Sequence, residues 1–317
     1  MTELATIDAL RALFPVSSRQ KNSVFTCDAE LFQLGGHLYG ISMDDFSREE
    51  DAFNDENLAL LGWNLAVATI ADILAAGCLP ELFLHAIVEP TEPVREGFAL
   101  GIAKGVRDAL AACDCRLLGG DMGKAATWRY MGVVLGPSLG PRGLTRILPP
   151  KKQTLWLTGA LGDGNLCAFD SSAHTRFELR LKEARALNGL ASACMDTSGG
   201  LADSFVMLAK VNPEHSFHVR LDSLPFDERC RAAAQAYGLP VAGFAFGGAG
   251  EYELLFATDE DLHLDYATPI GTAAPSATPG VFWNDRLMPC NLPDPRSFAD
   301  RQRYIRELLT VVDLCTR

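Results

Sequence analysis

The chain has 317 residues and a mass of 34.3 kDa, which exceeds the usual size of one hydrophobic core and suffices for two domains. Hydrophobic residues make up 48% and charged residues 21%, a composition that excludes a disordered protein, a collagen and a coiled coil. The formal net charge of -12 repels phosphate backbones, so nucleic acid is not an expected partner.

The N-terminus and the cysteines both indicate a cytoplasmic protein. Met1-Thr-Glu-Leu-Ala lacks the basic start and the apolar stretch of a secretory signal peptide. The longest uncharged apolar stretch, Leu58–Ala71, is shorter than the roughly 20 residues of a membrane span, so no membrane association is expected. Nine cysteines without a CxxC pair are typical of free thiols in a reducing compartment.

Helical and strand patterns alternate through the first half of the chain. The predicted elements are, in chain order, a helix over 4–14, a strand over 38–43, a long apolar helix over 57–77, a strand over 82–88, a helix over 92–113 and a strand over 130–135. The strand over 38–43 is expected to present Asp44 and Asp45 at its end.

A segment rich in glycine and proline, 136–143, predicts a junction between an N-terminal domain over 1–142 and a C-terminal domain over 143–317. The predicted elements beyond it are a strand over 154–158, a helix over 184–190, a strand that ends at Met195, a helix over 201–210 and a strand over 251–257. Both halves mix strands with long helices, which indicates an α/β protein, and the absence of a repeat excludes a solenoid.

Five aspartates occupy unusual places. Asp72 lies inside the apolar helix over 57–77. The other four lie in or beside short segments of small residues: Asp28, Asp44, Asp121 and Asp196. A carboxylate in such a helix is costly to bury unless it is paired, hydrogen-bonded or bound to a metal. Mg²⁺ takes hard oxygen ligands and shares them with phosphates, so these carboxylates predict Mg²⁺ held against a polyphosphate.

Other interpretations of these motifs stay open. Any one of the aspartates could be a helix N-cap or a turn residue. The run Gly247–Gly250 is weak evidence for a ligand by itself, and His215 and His218 lack the spacing of an HExxH site. The sequence contains no P-loop, no dinucleotide fingerprint after a strand and no GxSxG elbow.

Six motifs follow one another between about residues 24 and 258. They are Thr26-Cys-Asp28-Ala29, Ser42-Met43-Asp44, Ala71-Asp72-Ile-Leu-Ala-Ala-Gly77-Cys78, Gly119-Gly120-Asp121, Asp196-Thr-Ser198 and Tyr252-Glu-Leu-Leu-Phe256. In this order they resemble the thiamine-monophosphate kinase family, within the superfamily of aminoimidazole ribonucleotide synthetase. Leu144-Thr-Arg146 and Leu157-Thr-Gly159-Ala-Leu-Gly-Asp163 match the opening of the second domain in that family.

The resemblance implies an α/β (α+β) fold of aminoimidazole ribonucleotide synthetase type. An N-terminal mixed sheet with helices would form a homodimer, a C-terminal α/β domain would follow, and ATP would bind with Mg²⁺ at the dimer interface. The implied Mg²⁺ ligands are Asp28, Asp44, Asp72, Asp121 and Asp196. The implied nucleotide contacts are Asp44, Gly119, Gly120, Arg146 and Ser198. The implied substrate positions are Asp51, Glu251 and Tyr252.

The chain also departs from the family pattern. Cys27 and Gly199 replace two carboxylates, so weaker binding of one metal ion is expected. Asp51-Ala52 replaces a substrate-side His-Phe pair, Gly250 replaces a substrate-contacting Glu, and no residue matches the family's C-terminal aromatic. The nucleotide and metal positions are mostly kept, while the acceptor positions are mostly changed.

These residues together predict an ATP- and Mg²⁺-dependent phosphotransferase. It would resemble thiamine-monophosphate kinase of thiamine biosynthesis but act on a diverged small acceptor that bears a phosphate or an alcohol. No side chain is expected to act as a nucleophile. The alternatives are an ATP-dependent cyclo-ligase or synthetase of the same superfamily, and a non-catalytic nucleotide-binding homologue.

Overall fold

The computed structural model describes residues 3–51, 53–92, 94–170, 172–259, 262–288, 292–293, 297–298 and 300–316. The first part of the chain forms a mixed five-stranded sheet in the order β1-β2-β5-β3-β4. Its strands are β1 (Glu30–Leu34), β2 (His37–Ser47), β3 (Leu82–Pro90), β4 (Arg116–Ala125) and β5 (Arg129–Pro137). β3 and β4 are parallel, and the other pairs in this sheet are antiparallel.

Three helices accompany this sheet: α1 (Glu3–Arg11), α2 (Leu58–Ala75) and α3 (Phe98–Ala112). The side chain of Asn57 caps the start of α2 by accepting the N–H of Leu60. α2 and α3 pack at very short range, because a Cβ at Gly105 would lie 1.9 Å from the carbonyl oxygen of Ala59. Glycine is required at that contact.

By length and composition alone, α2 would be able to cross a membrane. However, 78% of it is buried inside the fold, as is usual for the core helix of a globular protein. α2 covers one face of the first sheet, because Cβ atoms at Gly40 and Gly132 would touch Ile73 and Thr69 of this helix. The predicted cytoplasmic location stays a prediction.

The rest of the chain forms a seven-stranded sheet in the order β12-β11-β8-β10-β6-β9-β7. Its strands are β6 (Gln153–Thr158), β7 (Ala193–Asp196), β8 (His215–Val219), β9 (Leu254–Thr258), β10 (Ala267–Pro275), β11 (Gly280–Trp283) and β12 (Arg286–Leu287). The α-helices of this part are α4 (Asp163–Phe169), α5 (Leu181–Leu187), α6 (Leu201–Val211), α7 (Glu228–Tyr237), α8 (Gly243–Phe246) and α9 (Arg301–Thr316), with a 3₁₀ turn at Leu221–Ser223.

The two sheets share a hydrophobic core. Trp156, Phe177 and Tyr252 belong to the same buried cluster as the apolar residues of α2. The predicted domain boundary after residue 142 lies in the segment between β5 and β6, and it stays a prediction.

Most predicted elements are confirmed, but several bounds differ. α3 begins at Phe98, six residues later than the predicted helix over 92–113. β2 continues to Ser47, so Asp44 lies inside the strand and not at its end. Gly119-Gly120-Asp121 lies inside β4, a strand that is not among the predicted elements. β9 begins at Leu254, three residues later than predicted, because Tyr252 has a left-handed backbone with φ 59°.

The cysteines that the structure describes are free thiols, as expected. They are Cys27, Cys78, Cys113, Cys115, Cys167, Cys194 and Cys230. Cys290 and the side chain of Cys315 lie outside the described part of the chain.

Candidate functional site

Three aspartates from distant parts of the chain meet in the interior. Asp28 comes from the loop before β1, Asp72 from α2, and Asp196 from the end of β7. One oxygen atom of each lies within 4.8 Å of an oxygen of both others. We call these three residues the carboxylate cluster.

Hydroxyl groups hold two members of the cluster in place. The Ser42 hydroxyl, on β2, donates to Oδ2 of Asp72 over 2.6 Å. The Ser198 hydroxyl donates to Oδ1 of Asp196 over 2.8 Å, and the N–H of Ser198 reaches the same oxygen over 3.3 Å. The N–H of Asp196 points at Oδ1 of Asp28 over 3.4 Å, which joins two parts of the cluster directly.

The cluster carries more buried negative charge than its surroundings neutralise. Asp196 is 2% exposed, and its Oδ2 has no hydrogen-bond partner within the described part of the chain. Burial and then the charge of Asp28 raise the pKa of Asp196 to about 7. Burial and then Asp44 raise the pKa of Asp72 well above its ordinary value. A cation or a proton is needed to stabilise such a group.

The donor set fits Mg²⁺. It consists of carboxylate oxygens, which are the hard ligands that Mg²⁺ prefers, and one of these oxygens is buried without a partner. Cys27 is a neutral neighbour of this set: burial raises the pKa of its thiol, and Sγ donates to the carbonyl of Leu144 over 3.2 Å.

Arg146 forms an ion pair with Asp28, a member of the carboxylate cluster. Its Nη2 lies 2.7 Å from Oδ1 and its Nε 3.3 Å from Oδ2, a two-pronged ion pair. The side chains are 14% and 1% exposed. Burial lowers the pKa of Arg146, but Asp28 outweighs this effect and the net pKa is raised. Two residues with separate predicted roles are therefore bound to each other.

A cavity of about 820 Å³ opens beside the cluster, and Asp44, Asp72 and Ser198 are among its lining residues. Burial, followed by Asp196 and Asp51, raises the pKa of Asp44 to about 7. The described lining residues include carboxylates, amides and aromatic rings but no lysine or arginine. The volume is within the range of small-molecule sites.

Two of the three predicted substrate residues face this cavity. Asp51 and Tyr252 line it, and the Tyr252 ring packs 4.8 Å from that of Phe177. Glu251 is absent from the lining residues that the structure describes. Its Oε1 accepts the N–H of Gly162 over 2.8 Å, so it caps α4 instead. Ala52 lies outside the described residues.

The two glycine departures have different structural causes. A Cβ at Gly250 would lie 2.1 Å from the carbonyl oxygen of Thr197 and 2.2 Å from that of Ser198, so two loops meet there at glycine distance. A Cβ at Gly199 would lie 2.7 Å from Oδ2 of Asp203. A carboxylate from α6 therefore occupies the space beside Gly199, and Asp203 also lines the cavity.

Asp121 lies on the other face of the first sheet. A single row of paired residues crosses four neighbouring strands of this sheet. From β4 to β2 the row consists of Asp121, Ala86, Met131 and Asp45. Side chains alternate along a strand, so Asp121 shares a face with Asp45 and not with Asp44. Gly119 lies on the same face as Asp121, while a Cβ at Gly120 would meet His85. Within one chain, the structure does not bring Asp121 to the cluster.

Several residues of the site were not predicted. Ser42 stands in a quoted motif, yet its bond to Asp72 requires the register of β2. Asn64 lines the cavity and exchanges hydrogen bonds with the N–H of Phe177 over 3.0 Å and the carbonyl of Thr175 over 2.9 Å. A polar residue in the apolar helix was the available signal for Asn64. The sequence gives no such signal for Phe177.

Comparison with known proteins finds relatives in sequence and in fold. Residues 27–137 match the family model of the AIR synthase related protein, N-terminal domain. Thiamine-monophosphate kinase of Aquifex aeolicus (strain VF5) is 23% identical over 211 residues, which span 62% of this chain and 68% of that protein.

Two solved structures share the fold. AaThiL complexed with AMPPCP and TMP superposes with a TM-score of 0.79 at 20% identity, over 90% of this chain and 95% of that one. E. coli HypE, a hydrogenase maturation protein, gives a TM-score of 0.68 at 15% identity, over 81% and 87% of the two chains. The fold is that of the AIR synthase superfamily. The chain is thus similar to thiamine-monophosphate kinase in fold, and residues 27–137 are similar to the AIR synthase related N-terminal domain.

Proposed function

We propose that this protein is an ATP- and Mg²⁺-dependent phosphotransferase that acts on a small acceptor bound in the cavity. The observation that carries the proposal is the buried, unpartnered Oδ2 of Asp196 within a carboxylate cluster at the edge of a cavity of about 820 Å³. The names of the relatives support a kinase, and thiamine phosphate is the first acceptor to test.

In the proposed reaction, an ionised phosphate oxygen of the acceptor, or an alcohol oxygen that gives its proton to water, attacks the γ-phosphorus of ATP. The bond between that phosphorus and the bridging oxygen breaks, and ADP leaves with the electron pair. Asp72, Asp196 and Asp44 would hold Mg²⁺, which would neutralise charge on the phosphates, while Asp28 would stay paired with Arg146 beside them. Without a P-loop lysine, most of the electrostatic stabilisation has to come from this site.

The described lining residues of the cavity include no lysine or arginine, so the acceptor would be recognised by other side chains. Asp51 and the rings of Phe53, Phe177 and Tyr252 line the part next to Asp44. Such a wall favours a planar acceptor that is neutral or cationic away from its reacting oxygen. This part of the site is where the sequence departs from its family.

The proposal includes a homodimer formed by the face of the first sheet that α2 leaves open. Met43, Leu84 and Met131 lie on adjacent strands of this face and are 69%, 41% and 37% exposed. An apolar sheet face of this kind is typical of a subunit interface. Asp121 lies on the same face, so we infer that it acts at or across that interface.

A product analysis tests the function. Purified protein is incubated with Mg²⁺, ATP and a panel of phosphate esters and alcohols that includes thiamine phosphate, and ³¹P NMR follows the products. A kinase forms ADP and a newly phosphorylated acceptor in equal amounts. ADP together with inorganic phosphate and a condensed product would favour the synthetase alternative. Mg-ATP binding by calorimetry without turnover would favour a non-catalytic homologue.

A further inference from the structure

Arg146 is tied to the N-terminal part of the cluster by more than its ion pair. The backbone N–H of Arg146 donates to the carbonyl of Thr26 over 2.8 Å, and Nη1 of its side chain donates to the carbonyl of Phe25 over 3.1 Å. From the other side, Nδ2 of Asn212 holds the carbonyl of Arg146 over 2.9 Å. The guanidinium is therefore fixed in one place.

This fixed charge sits where the carboxylates are densest. The guanidinium takes both oxygens of Asp28, and its charge also acts on Asp196 and Asp72. Oδ1 of Asp28 additionally faces the N–H of Asp196. Both Asp28 oxygens thus already have donors, whereas Oδ2 of Asp196 has none within the described residues. The two ends of the cluster differ in their capacity for another cation.

We propose that Arg146 is a positioning residue that acts as a built-in counter-ion. It occupies the Asp28 end of the cluster, lowers the affinity of the site for divalent cations and directs metal to the Asp72–Asp196 end. This inference deepens the proposed function and rests on its metal site. A guanidinium suits this role because it bonds a carboxylate with two parallel N–H groups and stays charged at all working pH values.

The test uses Mn²⁺ alone, without nucleotide, on the full-length protein. Binding is measured by electron paramagnetic resonance of free Mn²⁺ and by calorimetry. The Arg146→Gln variant is expected to bind Mn²⁺ about tenfold more tightly, or to take up an additional ion, because a positive charge next to the site has gone. Arg146→Lys keeps the charge but loses the two-pronged bond, so its affinity should lie between those of wild type and Arg146→Gln.

A double-mutant cycle shows whether the effect passes through Asp28. Because Asp28 is the carboxylate on which the Arg146 charge acts most strongly, Arg146→Gln should change Mn²⁺ affinity less in the Asp28→Asn background than in wild type. Arg180→Gln is the matched control, because Arg180 forms a comparable buried pair with Glu253, whose side chain is 6% exposed, outside the cluster. Its Mn²⁺ affinity should equal that of wild type, and thermal melts identify any variant that fails to fold.

The outcomes separate this inference from the proposed function. If wild type binds Mn²⁺ and folded Arg146→Gln and Arg146→Lys bind it equally or more weakly, the counter-ion role is wrong while the metal site stands. If wild type and all variants bind no Mn²⁺ at millimolar concentration, the metal site itself is wrong and both proposals fail.

Discussion

The two faces of the first sheet differ in the burial of their charged side chains although they share the same strands. On β2, Asp44 faces α2 and the cavity, while its neighbour Met43 is 69% exposed on the open face. The covered face presents buried carboxylates that lie close to one another. Burial and the neighbouring carboxylates raise the pKa of Asp44 to about 7. The open face presents exposed apolar side chains beside Asp121 and the exposed Asp45–Arg129 ion pair. One face is suited to ion chemistry and the other to a second subunit.

The largest expected effect lies on the covered side. Asp196→Asn should lower Mg-ATP turnover at least about a hundredfold, because it removes a charge from the centre of the cluster. The melting temperature of the metal-free protein should not fall, since a buried unpaired charge is lost. Asp108→Asn, at an aspartate whose side chain is 56% exposed, is the control and should retain full activity. Normal turnover by Asp196→Asn would remove the cluster from the mechanism.

A substitution on the open face should change the molecular mass of the particle in solution. Leu84→Lys places a charge in the apolar patch and should convert a dimer of twice 34.3 kDa into a monomer, as measured by light scattering after gel filtration. Leu10→Lys on α1, at a leucine that is 54% exposed, is the matched control and should stay dimeric. If Leu84→Lys keeps the mass of wild type, or wild type is already monomeric, this face is not the interface.

Asp121→Asn distinguishes the two faces directly. Because Asp121 lies away from the cluster within one chain, the variant should bind Mn²⁺ alone with nearly wild-type affinity. Its Mg-ATP turnover should nevertheless drop by about tenfold or more, since in the proposed dimer this carboxylate would lie near the nucleotide. Calorimetry and steady-state kinetics provide the two readouts. A loss of nucleotide-free Mn²⁺ affinity would place Asp121 in the cluster after all.

The sequence predicted the parts of the site that depend on residue type, and it missed those that depend on register. A lone carboxylate in an apolar helix was enough to mark Asp72, and short motifs of small residues marked Asp28 and Asp196. The face on which Asp121 lies follows from its pairing with Ala86, which motif spacing does not reveal. The pairing of Arg146 with Asp28, over 118 positions, is likewise a property of the folded chain.

The smallest expected effect is on the pH dependence of stability. It comes from Glu251, a buried carboxylate that lies outside the carboxylate cluster. Burial raises the pKa of Glu251 to about 8, although it caps α4 away from the cavity. The folded state therefore binds a proton that the unfolded state releases above its ordinary pKa, so this contribution to stability is lost as pH rises toward 8. Replacing Glu251 by Gln should flatten the decline in melting temperature between pH 5 and pH 8.

Glu178→Gln provides the control for that pH series, because Glu178 is exposed. It should reproduce the wild-type slope within error. Equal slopes for wild type and Glu251→Gln would show that Glu251 does not contribute to the decline with pH.

The central claim is that aspartates from separate parts of the chain hold a divalent cation against the phosphates of ATP. A crystal structure with Mn²⁺ and a non-hydrolysable ATP analogue, with the metal located by anomalous scattering, tests it most directly. The account predicts an anomalous peak within coordination distance of Asp72 and Asp196, with phosphate oxygens on its open side. A metal–nucleotide complex bound elsewhere, with Oδ2 of Asp196 still without a partner, would contradict it.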